Sequence, residues 1–335
     1  MGLKGPIVFS IHLFTMEAEK IKQLKEKLIK SFDKLKFEAK THKYTVEKTN
    51  FESVTTFLKR FTKPFNEHIM APLVARKYNR ENPEKPKRSG EWYKRYWRSK
   101  RNEAAARGTR VHQYAEMFPE FAPPSCEQEK GILEFFKILP EEKYEVLFSE
   151  FKMYSDEYKK AGTIDLLLLN KETGHLIIAD WKTNSTNILQ YYKNSKFKKP
   201  FTFMMDTSLN KFKLQLSKYQ AILENMTDSV VEQRWIIWLK EGDAFKVDED
   251  KDPEKYFIDK VDPGYEGEKF KLYKLESYKH DLIKVLKNSF QVEEETPEVM
   301  FKKRVKNTKN KIENKKKNLK AKAKYKKKKH NGDNK

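Results

Sequence analysis

Two apolar segments of nine residues, separated by a four-residue polar turn, constrain this chain more than any other feature. Gly162–Asn170 reads GTIDLLLLN and His175–Thr183 reads HLIIADWKT, with Lys171-Glu-Thr-Gly174 between them. Glycine closes that turn where a positive φ costs little. Both segments have strand length, and Tyr144–Tyr154 and Trp235–Leu239 read as further strands. Helical periodicity marks Glu103–Met117, Lys213–Asn225 and Leu275–Asn288. Strands that alternate with helices in this way predict a mixed α/β fold, a central mixed sheet flanked by helices.

Each apolar segment carries an acid, Asp165 in IDLLLL and Asp180 in IIADW. If the two strands pair, these carboxylates approach each other near one end of the sheet. Isolated acids inside apolar strands are expensive to bury without a partner. A divalent cation is an effective partner for such oxygens. Lys182 lies two residues after Asp180 and so projects to the same face. An ammonium there can position an attacking water or stabilise developing negative charge. Two acids and a lysine around a metal suit attack on a phosphodiester. Taken alone, Asp-x-Lys is a common pattern, and a surface ion pair is its ordinary reading.

The surroundings are more specific. The run EFKMY…GTIDLLLLN…HLIIADWKTN resembles the metal-binding core of the PD-(D/E)XK nuclease superfamily. Asp165 matches the first acid, Asp180 and Lys182 the second acid and lysine, and Glu150 the upstream acid. Gly108-Thr-Arg-Val-His112 resembles the GTxxH motif of the RecB-like branch, and Gln215-Leu-Ser-Lys-Tyr219 its QxxxY motif. Ser53-Val-Thr-Thr56, Phe61 and Lys63-Pro-Phe65 are similar to the N-terminal region of the phage and mitochondrial exonucleases of that branch. The resemblance spans about Phe51 to Glu241. Ile164 stands where the superfamily often has proline, and the single cysteine, Cys126, cannot support the four-cysteine iron–sulfur cluster that some members carry.

The resemblance implies a restriction-endonuclease-like core and a metal-dependent DNA nuclease, an exonuclease by preference. Asp165, Asp180, Glu150 and His112 would hold Mg²⁺ or Mn²⁺, and Lys182 would orient water. Glu116, four residues after His112 and so on the same helix face, would orient it. Gln215, Tyr219 and Arg107 are assigned to DNA contact or support of the site. A structure-selective endonuclease, an RNA nuclease or a non-catalytic nucleic-acid binder on the same core remain alternatives.

The rest of the chain fits a polyanionic partner. Net charge is +22, with 71 Lys and Arg against 49 Asp and Glu. Residues 301–335 hold 17 of the basic residues and only Glu313 and Asp333 as acids, which predicts a disordered basic arm able to strengthen phosphate contacts. Glu91–Arg101 (EWYKRYWRSKR) interleaves aromatic and basic residues. There Trp92 can stack on unpaired bases while Lys94, Arg95 and Arg98 hold phosphates, or the rings form a local core. Met16–Lys40 has apolar residues at Ile21, Leu24, Leu28, Phe32 and Leu35 and predicts an amphipathic helix. The expected organisation is an N-terminal region 1–45, a nuclease domain 46–295 and a tail 296–335. No apolar run approaches a membrane span, and no cleavage site follows Ile7–Phe14. The expected setting is intracellular, without a membrane partner.

Overall fold

The hairpin predicted at Lys171–Gly174 forms the centre of a nine-stranded mixed sheet. The computed structural model describes residues 6–192, 195–241, 256–258 and 264–291. The chain runs α1 (Pro6–Phe32), β1 (Leu35–Glu38), β2 (Lys43–Val46), β3 (Thr49–Ser53), α2 (Val54–Lys59), α3 (Glu67–Glu81), α4 (Gly90–Glu116) and α5 (Glu127–Ile138). It continues with β4 (Tyr144–Ser155), β5 (Lys160–Asn170), β6 (Leu176–Lys182), β7 (Gln190–Tyr192), α6 (Ser208–Met226), β8 (Val231–Leu239), β9 (Tyr256–Ile258), β10 (Tyr265–Glu266), β11 (Phe270–Lys274) and α7 (Lys279–Gln291). The basic arm read at 301–335 lies outside the described residues.

Strand order in the main sheet is β1-β2-β3-β5-β6-β8-β11-β10, and β4 pairs with the other edge of β5. β7 and β9 form a separate antiparallel pair. β4, β5 and β6 are mutually antiparallel, and β6 runs parallel to β8. Gly174 closes the β5–β6 turn with φ +72°. One face of the sheet buries Leu166, Leu168, Ile177, Trp181, Ile237 and Phe270 under α4 and α5. On the other face α6 crosses the central strands, burying Leu216, Ile222 and Leu223. Helices on both faces explain why β5 and β6 are apolar throughout. Among the described residues no helix is long and apolar enough to cross a membrane.

One expectation changes at the N-terminus. The amphipathic helix ends at Phe32 instead of running through Leu35 to Lys40. Leu35–Glu38 alternates partly buried and exposed residues and pairs antiparallel with Lys43–Val46. β2 pairs with β3, which joins the main sheet by parallel pairing with Lys160 and Ala161.

α4 is a single 27-residue helix, roughly 40 Å long at the α-helical rise. Its second half belongs to the sheet core through Val111, Tyr114 and Ala115. Its first half pairs with α3 around a separate small core of Ala71, Ala75 and Tyr93, with Val74, Tyr78, Trp92 and Trp97 packed against it. The helix thus ties a helical hairpin to the sheet.

α6 also buries an amine. Lys218 is fully inaccessible, its Nζ donates to no hydrogen-bond partner among the described residues, and it lies 5.0 Å from the Phe57 ring centroid and 4.9 Å from that of Tyr158. Burial, and then the nearby Lys160, lower its pKa to about 6. The folded state therefore binds fewer protons than the unfolded state between about pH 6 and the ordinary lysine value, and stability rises with pH through that window. Lys218→Met is expected to raise Tm at pH 7, by an amount on the order of a few kcal/mol of stability. The gain should shrink as pH approaches 10; thermal melts at pH 7 and 9.5 check both points.

Candidate metal centre

The register of the β4–β5 hairpin builds the site. From the turn at Asp156–Lys159 the pairing runs from Ser155↔Lys160 to Ser149↔Leu166, with Phe151 opposite Ile164. Glu150 is thereby brought beside Asp165. The bulge in β4 lies between Val146 and Phe148, beyond the site. On the other edge of β5 the last pair with β6 is Leu166↔Ala179, so Asp165 and Asp180 stand one step past the ladder. There the strands part. The Trp181 N–H, which has lost a strand partner, donates instead to Asp165 Oδ2 at 2.9 Å.

His112 enters from α4. Its Nδ1 lies 3.4 Å from Asp165 Oδ2 and 3.6 Å from Glu150 Oε1. His112, Glu150 and Asp165 each offer one ligand atom, and these atoms lie within 4.8 Å of one another, a group that can hold a metal ion. Burial disfavours the imidazolium, yet the nearby Asp165 and Glu150 carboxylates outweigh it and carry the His112 pKa up to about 9. Asp165 is shifted upward too, by burial and then by the Asp180 carboxylate, against the pull of His112 and Lys182. The cluster is thus electrostatically short of positive charge, a shortage that a bound cation would relieve.

Asp180 stands beside this group and is only 2% exposed. Gln215 Nε2 donates to its Oδ1 at 3.1 Å and to the Tyr219 hydroxyl at 3.2 Å. Its Oδ2 accepts no hydrogen bond among the described residues and lies against the Lys182 ammonium. Lys182 is held from the far side by the Phe212 ring, 4.6 Å from its Nζ. Gln215 and Tyr219 therefore fix the orientation of an acid, as the spacing of four residues on one helix permits. Tyr219 lies so close to β5 that a Cβ at Gly162 would sit 2.5 Å from its ring. Burial, then the two aspartates, hold the Tyr219 hydroxyl well above the ordinary tyrosine pKa, so it stays protonated.

Other assigned residues have different settings. Arg107 bonds the Thr183 carbonyl at 3.4 Å and pairs with Glu241 at 3.0 Å, an intramolecular tie between α4 and the strand ends. Trp92 is half-buried, with Tyr96 stacked on it at 5.1 Å and the Arg88 guanidinium 4.3 Å over its ring. Lys94 is paired with Glu91 at 2.7 Å. Arg95 and Arg98 are exposed on α4. Glu116 is exposed one turn beyond His112. Its pKa is raised, first by burial and then by Glu150.

Sequence reasoning missed Tyr44. Its hydroxyl shares a 2.9 Å hydrogen bond with Thr163 Oγ1, and Glu150 and Asp165 both add to the upward pKa shift that burial begins. No local pattern signals this, because β2 reaches the site from 119 residues away.

Glu150 adopts φ +49°, a left-handed conformation costing a non-glycine residue roughly 1 kcal/mol. Glu150→Gly is therefore expected to hold or raise Tm without metal while losing the Mn²⁺-induced rise; a matched loss of Tm would mean that the carboxylate is structural. Gly162→Ala should instead lower stability by about 1–3 kcal/mol and weaken the Mn²⁺ response by displacing Tyr219, both read in the same thermal-shift titration.

Neither protein-family models nor curated proteins yield a match to this chain.

Proposed function

We propose that the chain is a metal-dependent DNA nuclease of the PD-(D/E)XK type, acting as an exonuclease on DNA with free ends. The observation that supports this best is the convergence of His112, Glu150 and Asp165 next to the Asp180–Lys182 pair. The four acid and imidazole residues are those the sequence motifs single out. One imidazole among carboxylate oxygens suits Mg²⁺ or Mn²⁺, with manganese well tolerated.

When bound, such a cation polarises the scissile phosphate and neutralises charge on the leaving oxygen. Asp165, Glu150 and a neutral His112 would hold it, with Asp180, the fourth ligand the sequence motifs imply, beside that group. Lys182 orients the attacking water and faces the charge that develops on the phosphate. Asp180 anchors the Lys182 ammonium, and Gln215 and Tyr219 keep Asp180 turned toward it. The exposed Arg95 and Arg98 on α4 supply phosphate contacts along the same helix that carries His112. Net charge of +22 strengthens binding in a strongly salt-dependent way.

The test is digestion of end-labelled linear single- and double-stranded DNA beside closed circles, with Mg²⁺, Mn²⁺ or EDTA. Wild type should degrade linear DNA in either metal and leave circles intact. Asp165→Asn and Lys182→Ala should each lose at least about a hundredfold in rate while DNA binding survives. Cleavage of circles would make the enzyme an endonuclease. Full activity in either variant would refute the site.

A further inference from the structure

α3 is packed inside out. It turns Ala71 and Ala75 toward α4, with Val74 and Tyr78 packed beside them, and leaves Ile69, Met70 and Leu73 in solvent. Ile69 is 60% exposed and Leu73 51%, one helical turn apart, with Met70 alongside. Phe65, just ahead of the helix, is exposed as well, with one edge against Trp97 at 5.2 Å. Scattered exposed apolar residues need no explanation, but a contiguous stripe on one helix face does. The same face continues, one and two turns on, into Arg76, Lys77 and Arg80, all exposed. Glu81 meets Lys77 and Arg80 only at 4.0 and 3.9 Å, at the edge of ion pairing. Burying small residues and exposing large ones forgoes hydrophobic stabilisation that the reverse orientation would gain.

We infer that the outer face of α3 is a docking surface for an acidic, apolar peptide segment of a partner protein. Two or three large apolar side chains of the partner would pack on Ile69, Met70 and Leu73, and its carboxylates would meet Arg76, Lys77 and Arg80. Charge complementarity selects an acidic occupant. The chemistry of the stripe favours a peptide over nucleic acid: unpaired bases stack on aromatic rings, whereas Ile69, Met70 and Leu73 have no π face and no hydrogen-bond donor, and Phe65 beside them is engaged by Trp97. A stripe of this size corresponds to helix-in-groove or short-segment recognition with micromolar affinity. The surface lies on the α3–α4 hairpin, whose core is separate from that of the sheet, so occupancy does not require the metal centre to be engaged.

The probe is a fluorescein-labelled 14-residue peptide with Leu and Phe spaced four apart and Asp or Glu between them, titrated by anisotropy with full-length protein in EDTA. Saturable micromolar binding is expected, weakened at least about fivefold by Ile69→Gln/Leu73→Gln and by Arg76→Gln/Arg80→Gln. A control peptide with Lys in place of the acids should not bind. All four positions are exposed, so melts of the variants should match wild type. Absence of saturable binding, or equal binding by wild type and both variants, overturns the inference. It is also overturned if the same variants lose affinity for a single-stranded oligonucleotide or for anionic phosphatidylserine vesicles by the factor they lose for peptide. Self-association of wild type that Ile69→Gln/Leu73→Gln abolishes in sedimentation would make the face a homotypic contact and overturn it likewise.

Discussion

The site depends on the separation of β5 from β6 immediately after the Leu166–Ala179 pair. Continued pairing would set Asp165 and Asp180 side by side in an apolar sheet, two like charges with little water to screen them. The strands part there, and the opening creates a second difficulty: the Trp181 N–H loses its ladder partner within a buried strand. Asp165 resolves it by accepting that N–H, which holds the carboxylate rigidly at the opening. One hydrogen bond thus satisfies the broken ladder and positions the acid on which His112 and Glu150 converge. The geometry is fixed by where a sheet stops being able to pair.

Around that point the chain supplies each remaining group from a rigid element. Glu150 comes from β4 through a hairpin whose register is set by a four-residue turn. His112 comes from the half of α4 that is anchored in the sheet core. Asp180 is oriented from α6 by Gln215, and Gln215 by Tyr219. Only Gly162 at that position lets the tyrosine ring approach β5 so closely. A short chain of side chains therefore connects the glycine of the GTID run to the acid of the following strand, and neither motif is complete without the other. Glu150 differs in kind. Its left-handed backbone is strained where its neighbours are regular, and such strain is maintained only when the surrounding structure dictates it.

What was legible in the sequence was what local pattern encodes. The proximity of Asp165, Asp180 and Lys182 followed from period-two alternation and a turn with glycine in the right place. The single α4 helix was visible only in parts, since its basic-aromatic half and its GTxxH half differ in composition. The end of α1 was misread because Leu28, Phe32 and Leu35 keep helical spacing while Leu35 already belongs to a strand. Tyr44 was invisible because a two-residue parallel pairing between β3 and β5 delivers it. Composition does not record the intramolecular partners of Arg107, Lys94 and Trp92, which only the fold brings to them.

The same distinction separates the two faces of the α3–α4 hairpin. On α4 the aromatic rings are largely spent on one another and on Arg88: Trp92 carries Tyr96 and Arg88, and Tyr93 is buried in the hairpin core. The aromatic-rich sequence allowed either rings free for stacking or a local core, and stability of a two-helix unit requires rings inside, because alanines alone cannot supply enough buried area. With those rings, Val74 and Tyr78 filling the hairpin core, Ile69, Met70 and Leu73 have no interior left to enter. The exposed stripe at Ile69, Met70 and Leu73 is thus a structural consequence of how the hairpin core is filled. Its coincidence with a basic patch on the same helix is what turns that consequence into a surface with a defined chemical preference.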